Sequence, residues 1–210
     1  MNICLIGNGP SALKKPTGEF IDSCEIVVRL GNCVVNDHTE YVGSKTTIYA
    51  GRWKKLENNL PLCAQSDQVW ILYPNPPHDW NSTHLGSSSV TRDNVSIKRM
   101  GITRDKVMYV PECIQDKYKS IYNRSMLPKQ SDVKCGFNIP ATGTVALDMV
   151  VDRYQGHSIH ITGFDGYFNS TTYYFNPSRT IGKDFSCAND TLTQRVELAK
   201  TIAYNNINVI

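Results

Sequence analysis

Short apolar runs return along the chain at Ile3 to Ile6, Glu25 to Leu30, Thr46 to Ala50, Gln68 to Tyr73, Lys106 to Val110 and Ser158 to Gly163. Each has the length of a strand and several are bounded by Gly or Pro, so the pattern predicts six β-strands. Helical candidates lie between them. Trp53 to Leu62 and Glu112 to Tyr122 are polar and amphipathic. Thr144 to Tyr154 carries Thr144, Asp148 and Asp152 at i, i+4 and i+8, with Val145, Ala146, Met149 and Val150 on the opposite side. A last helix is expected from about Thr191 to Tyr204. Strands alternating with helices imply an α/β fold in one domain over residues 1–210, a Rossmann-like and mostly parallel sheet with helices on both faces. No internal repeat is present. The irregular stretches 74–96, 123–139 and 165–189 have the length that compact domains reserve for binding loops or lids.

The 210 residues are 40% hydrophobic and 20% charged, enough apolar material for a proper core. A net charge of +3 is too mild for a nucleic-acid protein and suits a small anionic substrate. No apolar run approaches the length of a membrane span or a leader core, so a soluble chain is expected. Seven cysteines, Cys4, Cys24, Cys33, Cys63, Cys113, Cys135 and Cys187, are odd in number and scattered, without C-x-x-C or the spacing of a zinc site. They predict reduced, mostly buried thiols and a cytoplasmic location. Five N-x-S/T sequons, at Asn81, Asn94, Asn123, Asn169 and Asn189, point the other way, although a chain rich in Asn, Ser and Thr supplies several by chance.

The loop after the first run, Gly7-Asn8-Gly9-Pro10-Ser11-Ala12, fits the Gly-x-Gly-x-x-Ala fingerprint of flavin and nicotinamide oxidoreductases. That reading calls for an acidic residue at the end of the second strand, to grip a ribose hydroxyl. Val28-Arg29-Leu30-Gly31-Asn32 stands there instead, and Lys14, Lys15, Pro16 and Gly18 make a poor helix to pack closely on a sheet. Walker A spacing is absent. A tight turn that needs backbone freedom would by itself account for Gly7 and Gly9.

More residues join the loop. Phe20-Ile21-Asp22-Ser23, Glu25 to Leu30 and Tyr41-Val42-Gly43-Ser44-Lys45-Thr46-Thr47 follow it in order. Residues 3 to 49 together resemble the long sialylmotif of the sialyltransferase family, roughly C-x-x-x-G-N-S-x-x-L, I-D-x-x-x-x-V-x-R-x-N-x-A-P and D-V-G-x-K-T-T. Further on, Pro140-Ala141-Thr142-Gly143, with Gly163-Phe164 twenty residues after Gly143, resembles the short sialylmotif P-S-T-G with its Y-G-F. The wording Gly7 to Ser11 is also similar to the opening loop of bacterial sialyltransferases. The resemblance implies a GT-A-variant fold and a CMP-sugar donor bound by Gly7, Asn8, Gly9, Ser11, Gly31, Asn32, Ala141, Thr142, Gly143, Gly163 and Phe164, with Tyr173 and Tyr174 from a third motif. The residues allow this on their own terms. Glycines after a first strand let backbone N–H groups and the Asn8 amide approach a phosphate, and Thr142-Gly143 opens a helix whose amino end favours an anion. Thr142 could equally be only an N-cap.

Several positions depart from the family pattern. Its general base is a histidine just before the last helix, where this chain has Asn189; the histidines stand at 38, 78, 84, 157 and 160. Asp190 or Asp184 is the expected substitute base, with His78 or His84 on a long loop as the alternative. The Thr171-Thr172-Tyr173-Tyr174 segment lacks the third motif's histidine, Gly31 replaces the Asn of R-x-N, and Ile3 and Gly156 replace the cysteines that join the two sialylmotifs. His157 and His160 read as residues of the strand leading to Gly163. No D-x-D or carboxylate cluster suggests a divalent metal, which agrees with the metal independence and absence of a cofactor that the resemblance implies.

These readings converge on an inverting glycosyltransferase that moves sialic acid, or a Kdo-like 3-deoxy-ulosonic acid, from a CMP-sugar to a glycan or other hydroxyl acceptor. The alternatives are a non-catalytic nucleotide-binding module, a donor hydrolase, or a flavin or nicotinamide oxidoreductase. Trp80, Tyr167, Phe168, Tyr173 and Tyr174 are candidates to stack on an acceptor sugar, or equally to pack down a lid.

Overall fold

The computed structural model of the chain describes residues 1–73, 97–121, 141–165, 172–174, 176–180 and 188–210. Nine strands are present among them: β1 (Asn2–Ile6), β2 (Ile26–Leu30), β3 (Ile48–Arg52), β4 (Gln68–Tyr73), β5 (Val107–Tyr109), β6 (Ser158–Thr162), β7 (Thr172–Tyr173), β8 (Asn176–Thr180) and β9 (Asn208–Val209). Seven of them form one sheet in the order β5-β4-β3-β2-β1-β6-β9, with every neighbouring pair parallel. β7 and β8 make a separate antiparallel pair. All six expected strands form. The hairpin and β9 were not expected, since two-residue pairings such as β7 and β9 leave no periodicity to read.

The helices are α1 (Gly18–Ser23), α2 (Thr39–Val42), α3 (Trp53–Leu56), α4 (Leu60–Gln65), α5 (Glu112–Ile121), α6 (Thr142–Arg153) and α7 (Ala188–Tyr204). The single helix expected over 53–62 is two, because the chain breaks after Leu56 and restarts from Asn59 with Pro61 in the new first turn. The poor helix-former Lys14 to Pro16 is not helical: a 3₁₀ turn, Pro10–Leu13, precedes it and α1 begins only at Gly18.

Alternate residues of each central strand enter opposite layers, as the period of two requires. Ile3 and Leu5 pack with Val28, Leu30, Val145, Leu147 and Leu198 beneath α5, α6 and α7. Cys4 and Ile6 pack with Ile21, Cys24 and Val27 on the α1 side. Trp70 and Tyr49 are wholly buried on opposite faces. The polar stripe expected along α6 meets solvent only at Asp152: Thr144 and Asp148 are both buried, because α6 lies between the sheet and its neighbouring helices. A carboxylate there must be paired. Asp148 Oδ2 accepts from Lys117 Nζ at 2.7 Å and Tyr118 Oη at 2.6 Å, and Oδ1 accepts from Thr201 Oγ1 at 3.1 Å, which ties α5 and α7 to α6.

From β1 the sheet steps through β2, β3, β4 and β5 on one side and through β6 and β9 on the other. The β1/β6 boundary is therefore the topological switch point, and open α/β sheets take their ligands outside the carboxyl ends of the strands at such a point. Helices that lead into parallel strands run against them, so α6 and α7, which precede β6 and β9, both start at that edge.

Candidate active site at the carboxyl edge of the sheet

The loops that leave β1 and β6 are locked together by their glycines. Gly7 N donates to Thr162 O at 2.8 Å and Gly9 N to Gly163 O at 2.9 Å. A Cβ on Gly7 would lie 2.3 Å from Gly163 O, and Gly163 itself has φ +70°. The approach of two backbones, with a left-handed conformation on one of them, is what requires glycine at both positions. Ser11 donates from N and Oγ to Asp165 Oδ2 at 3.2 and 3.0 Å, and Ala12 N donates to Gly9 O. Most amides of the loop are thus engaged inside the protein, and Pro10 has none to give. The sequence suggested that these amides cradle a phosphate; the geometry gives Gly7, Gly9 and Ser11 the task of shaping the loop.

Asn8 differs. Its Nδ2 donates to Leu30 O at 2.9 Å, which ties the loop to the end of β2, while its Oδ1 is buried without a partner. Beside it, Gly31 has φ +53° and open space where a side chain would stand, and Asn32 follows half-buried. Tyr49 donates its hydroxyl to Gly31 O. Across the edge, α6 starts from Ala141, whose backbone is extended at the N-cap, and no side chain caps the helix. Thr142 is therefore its first residue and not its cap. Gly143 meets the Phe164 ring, 3.0 Å from where its Cβ would be, and the same ring flanks Gly7. Asn8, Gly31, Thr142, Gly143, Gly163 and Phe164 thus come together from four segments far apart in sequence.

Tyr174 is buried, and it is a brace, not a surface for a sugar. Its N donates to Asn8 O at 3.0 Å, its hydroxyl donates to Val34 O at 2.6 Å and accepts from Val34 N at 3.2 Å, and His38 packs edge-on against its ring. Burial pushes its phenol up to about 12, and burial likewise pushes the nearby Cys33 thiol up to about 11, so both stay protonated. The backbone of Tyr173 ends β7. Asp190 is the third residue of α7, in its first turn. Asp184, His78, His84, Trp80, Tyr167 and Phe168 lie outside the described residues. His157 precedes β6 and is exposed, not part of the strand as expected; His160 lies within it, bonded to Ser158 Oγ and edge-on to Phe20, and burial lowers its pKa. Nothing in the motif singles out Asp165, whose contact with Ser11 spans 154 residues.

The comparisons agree with this geometry. The model of glycosyltransferase family 29 (sialyltransferase) matches residues 2–181. The chain belongs to this family. Type 2 lactosamine alpha-2,3-sialyltransferases of Pan troglodytes, Pongo abelii and Homo sapiens are each 25% identical over 192 residues, covering 84% of this chain and 55% of the relative. This family 29 chain thus spans about half the length of the curated relatives it matches. Two crystal structures share its fold at 14% identity, a mammalian sialyltransferase at TM-score 0.59 and one in complex with Gal-beta-1-3GalNAc-ortho-nitrophenol at 0.54, each covering all of this chain and 68% of the other.

Membership corrects the expected location. The sialyltransferase relatives are Golgi and lumenal enzymes, which overturns the cytoplasmic assignment. The thiols misled because burial by itself protects them: Cys4, Cys24, Cys33 and Cys63 are buried, and of the described cysteines only Cys113 is exposed. No described helix is long and apolar enough to cross a membrane.

Proposed function

We propose that the chain transfers sialic acid, or a related 3-deoxy-ulosonic acid such as Kdo, from a CMP-sugar to a hydroxyl of a glycan acceptor, with inversion and without a metal. The observation that carries this reading is the Asn8 carboxamide, with one end bonded to Leu30 O and the other, Oδ1, buried and unpartnered at the switch point. A buried polar atom left without a partner costs free energy unless a ligand or water satisfies it. Family membership supplies the ligand's class.

In this reading the CMP phosphate and the sugar carboxylate lie toward the uncapped start of α6, where the N–H groups of Thr142 and Gly143 donate to no described residue and the helix dipole favours negative charge. Phe164 flanks the nucleotide. Stabilising the charge that grows on departing CMP is the main electrostatic task. A base takes the proton of the acceptor hydroxyl as its oxygen attacks the anomeric carbon from the side opposite CMP. Asp190 is the favoured base and Asp184 the alternative. Thr201 meets Asp148. At a rise of about 1.5 Å per residue, α7 extends roughly 16 Å from Thr201 back to Asp190, whereas α6 extends only about 9 Å from Asp148 back to Thr142. Both helices start at the carboxyl edge, and α7 continues further past the Thr201–Asp148 contact than α6 does. Type 2 lactosamine, named by the relatives, is the first acceptor to try.

The experiment is a transfer assay with CMP-sialic acid and CMP-Kdo against galactose-terminated acceptors, on the wild type and on Asp190→Asn. Product formed by the wild type and reduced about 10²-fold or more in the variant supports the reading. CMP released at the same rate with or without acceptor makes the chain a donor hydrolase. Binding without turnover makes it a nucleotide-binding module, the reading favoured by Asn189 standing where the family has its histidine.

A further inference from the structure

We infer that Asp165 reads the ribose of the donor nucleotide, with its Oδ1 accepting hydrogen bonds from the sugar's vicinal hydroxyls. This rests on the CMP-donor reading. A nucleotide-binding sheet that opens with Gly-x-Gly-x-x-Ala calls for a carboxylate to hold the ribose, ordinarily at the end of β2. β2 ends here in Leu30 and is followed by Gly31, and the Leu30 carbonyl is taken by Asn8. Asp165 supplies the missing group from the other side of the switch point, two residues beyond Gly163 at the carboxyl end of β6.

Its geometry suits an acceptor fixed in place for a ligand. Oδ2 is held by both donors of Ser11 and fills the space beside Gly9, where a Cβ would lie only 1.7 Å away. The carboxylate is therefore locked in orientation, and the absence of a side chain at Gly9 is explained by it. Oδ1 accepts from no described residue, and Asp165 is half-buried beside the Phe164 ring that spans Gly7 and Gly143. An oriented carboxylate oxygen of this kind takes a hydroxyl pair well, because both ribose hydroxyls can donate to it and hydrogen bonds to a charged acceptor are the stronger class.

Calorimetric titration with CMP, 2′-deoxy-CMP and 3′-deoxy-CMP tests this on the wild type, Asp165→Ala and Asp165→Asn, with thermal melts to confirm folding. The wild type is expected to prefer CMP over at least one deoxy analogue by about tenfold or more. Asp165→Ala should bind all three alike, at the wild-type affinity for that deoxy nucleotide. Asp165→Asn keeps an acceptor for Ser11, so it guards against a failure to fold, and should narrow the preference to severalfold. An Asp165→Ala protein that weakens all three ligands equally would make the residue a clamp for the loop and overturn the inference, as would an unchanged preference for the ribose. A wild type that binds none of the three overturns the CMP-donor reading itself, an outcome distinct from both.

Discussion

Two segments carry most of the resemblance to the family, and the structure satisfies them to very different degrees. In the turn Val42 to Thr47 the polar groups answer one another. Asp22 accepts from Ser44 N, Ser44 Oγ and Lys45 N, while the wholly buried Arg29 donates from Nε to Lys45 O and Thr46 Oγ1 and from Nη2 to Val42 O. Only Arg29 Nη1 is left over, inside the core. At the carboxyl edge of β1, β2 and β6, Asn8 Oδ1 and Asp165 Oδ1 face no described donor, Gly31 leaves open space, and α6 starts without a side-chain cap. Motif residues whose polar groups are used up internally hold the fold. In the function proposed above, those at the carboxyl edge with capacity left over face the ligand.

The comparison breaks first if Arg29 proves dispensable. Arg29→Met should lower the unfolding free energy by about 3 kcal/mol, since it strips donors from buried carbonyls, and urea denaturation reads this directly. Asp22 offers a smaller test with a sign. Partial burial pushes its carboxyl up, but the hydrogen bonds from Lys45 and Ser44 and the nearby Arg29 charge outweigh burial and hold it below its ordinary value. A folded pKa below the unfolded one contributes stability that is fully present above the unfolded value near 3.9 and is lost as pH falls through the folded value. Asp22→Asn should therefore be less stable than the wild type at pH 7, by about 1 kcal/mol for the hydrogen bonds weakened, and the gap should close as the pH falls through the lowered folded value. Smallest is Gly31→Asn. A φ of +53° and free space suit Asn, so stability should change by less than about 0.5 kcal/mol, while the amide that the family motif carries there should tighten CMP binding severalfold. Unchanged CMP affinity in that variant would show that Gly31 does not border the donor site.

The sheet was legible because parallel strands buried on both faces read as continuous apolar runs, and Ile3 to Ile6 or Gln68 to Tyr73 could hardly be anything else. The glycines of the switch point were visible as glycines, but their reason was not. Gly9 is small because a carboxylate from the far side of the chain occupies its side-chain space, and no local pattern announces a contact between residues 9 and 165. Tyr174 was undecided for the same reason. A loop aromatic can stack on a sugar or pack down a lid, and its hydroxyl is committed to Val34, 140 residues away. The polar stripe of α6 was a true pattern with the wrong solvent: Asp148 points into a buried network.

The most direct test is calorimetric titration of the wild type and of Asn8→Ala with CMP, using UMP, GMP and NAD as controls. Selective binding of CMP by the wild type, weakened about tenfold or more in Asn8→Ala with an unchanged melting temperature, is the predicted result. Equal affinity of the two proteins for CMP, or no binding by either, would contradict the assignment of the switch point as a CMP-sugar site.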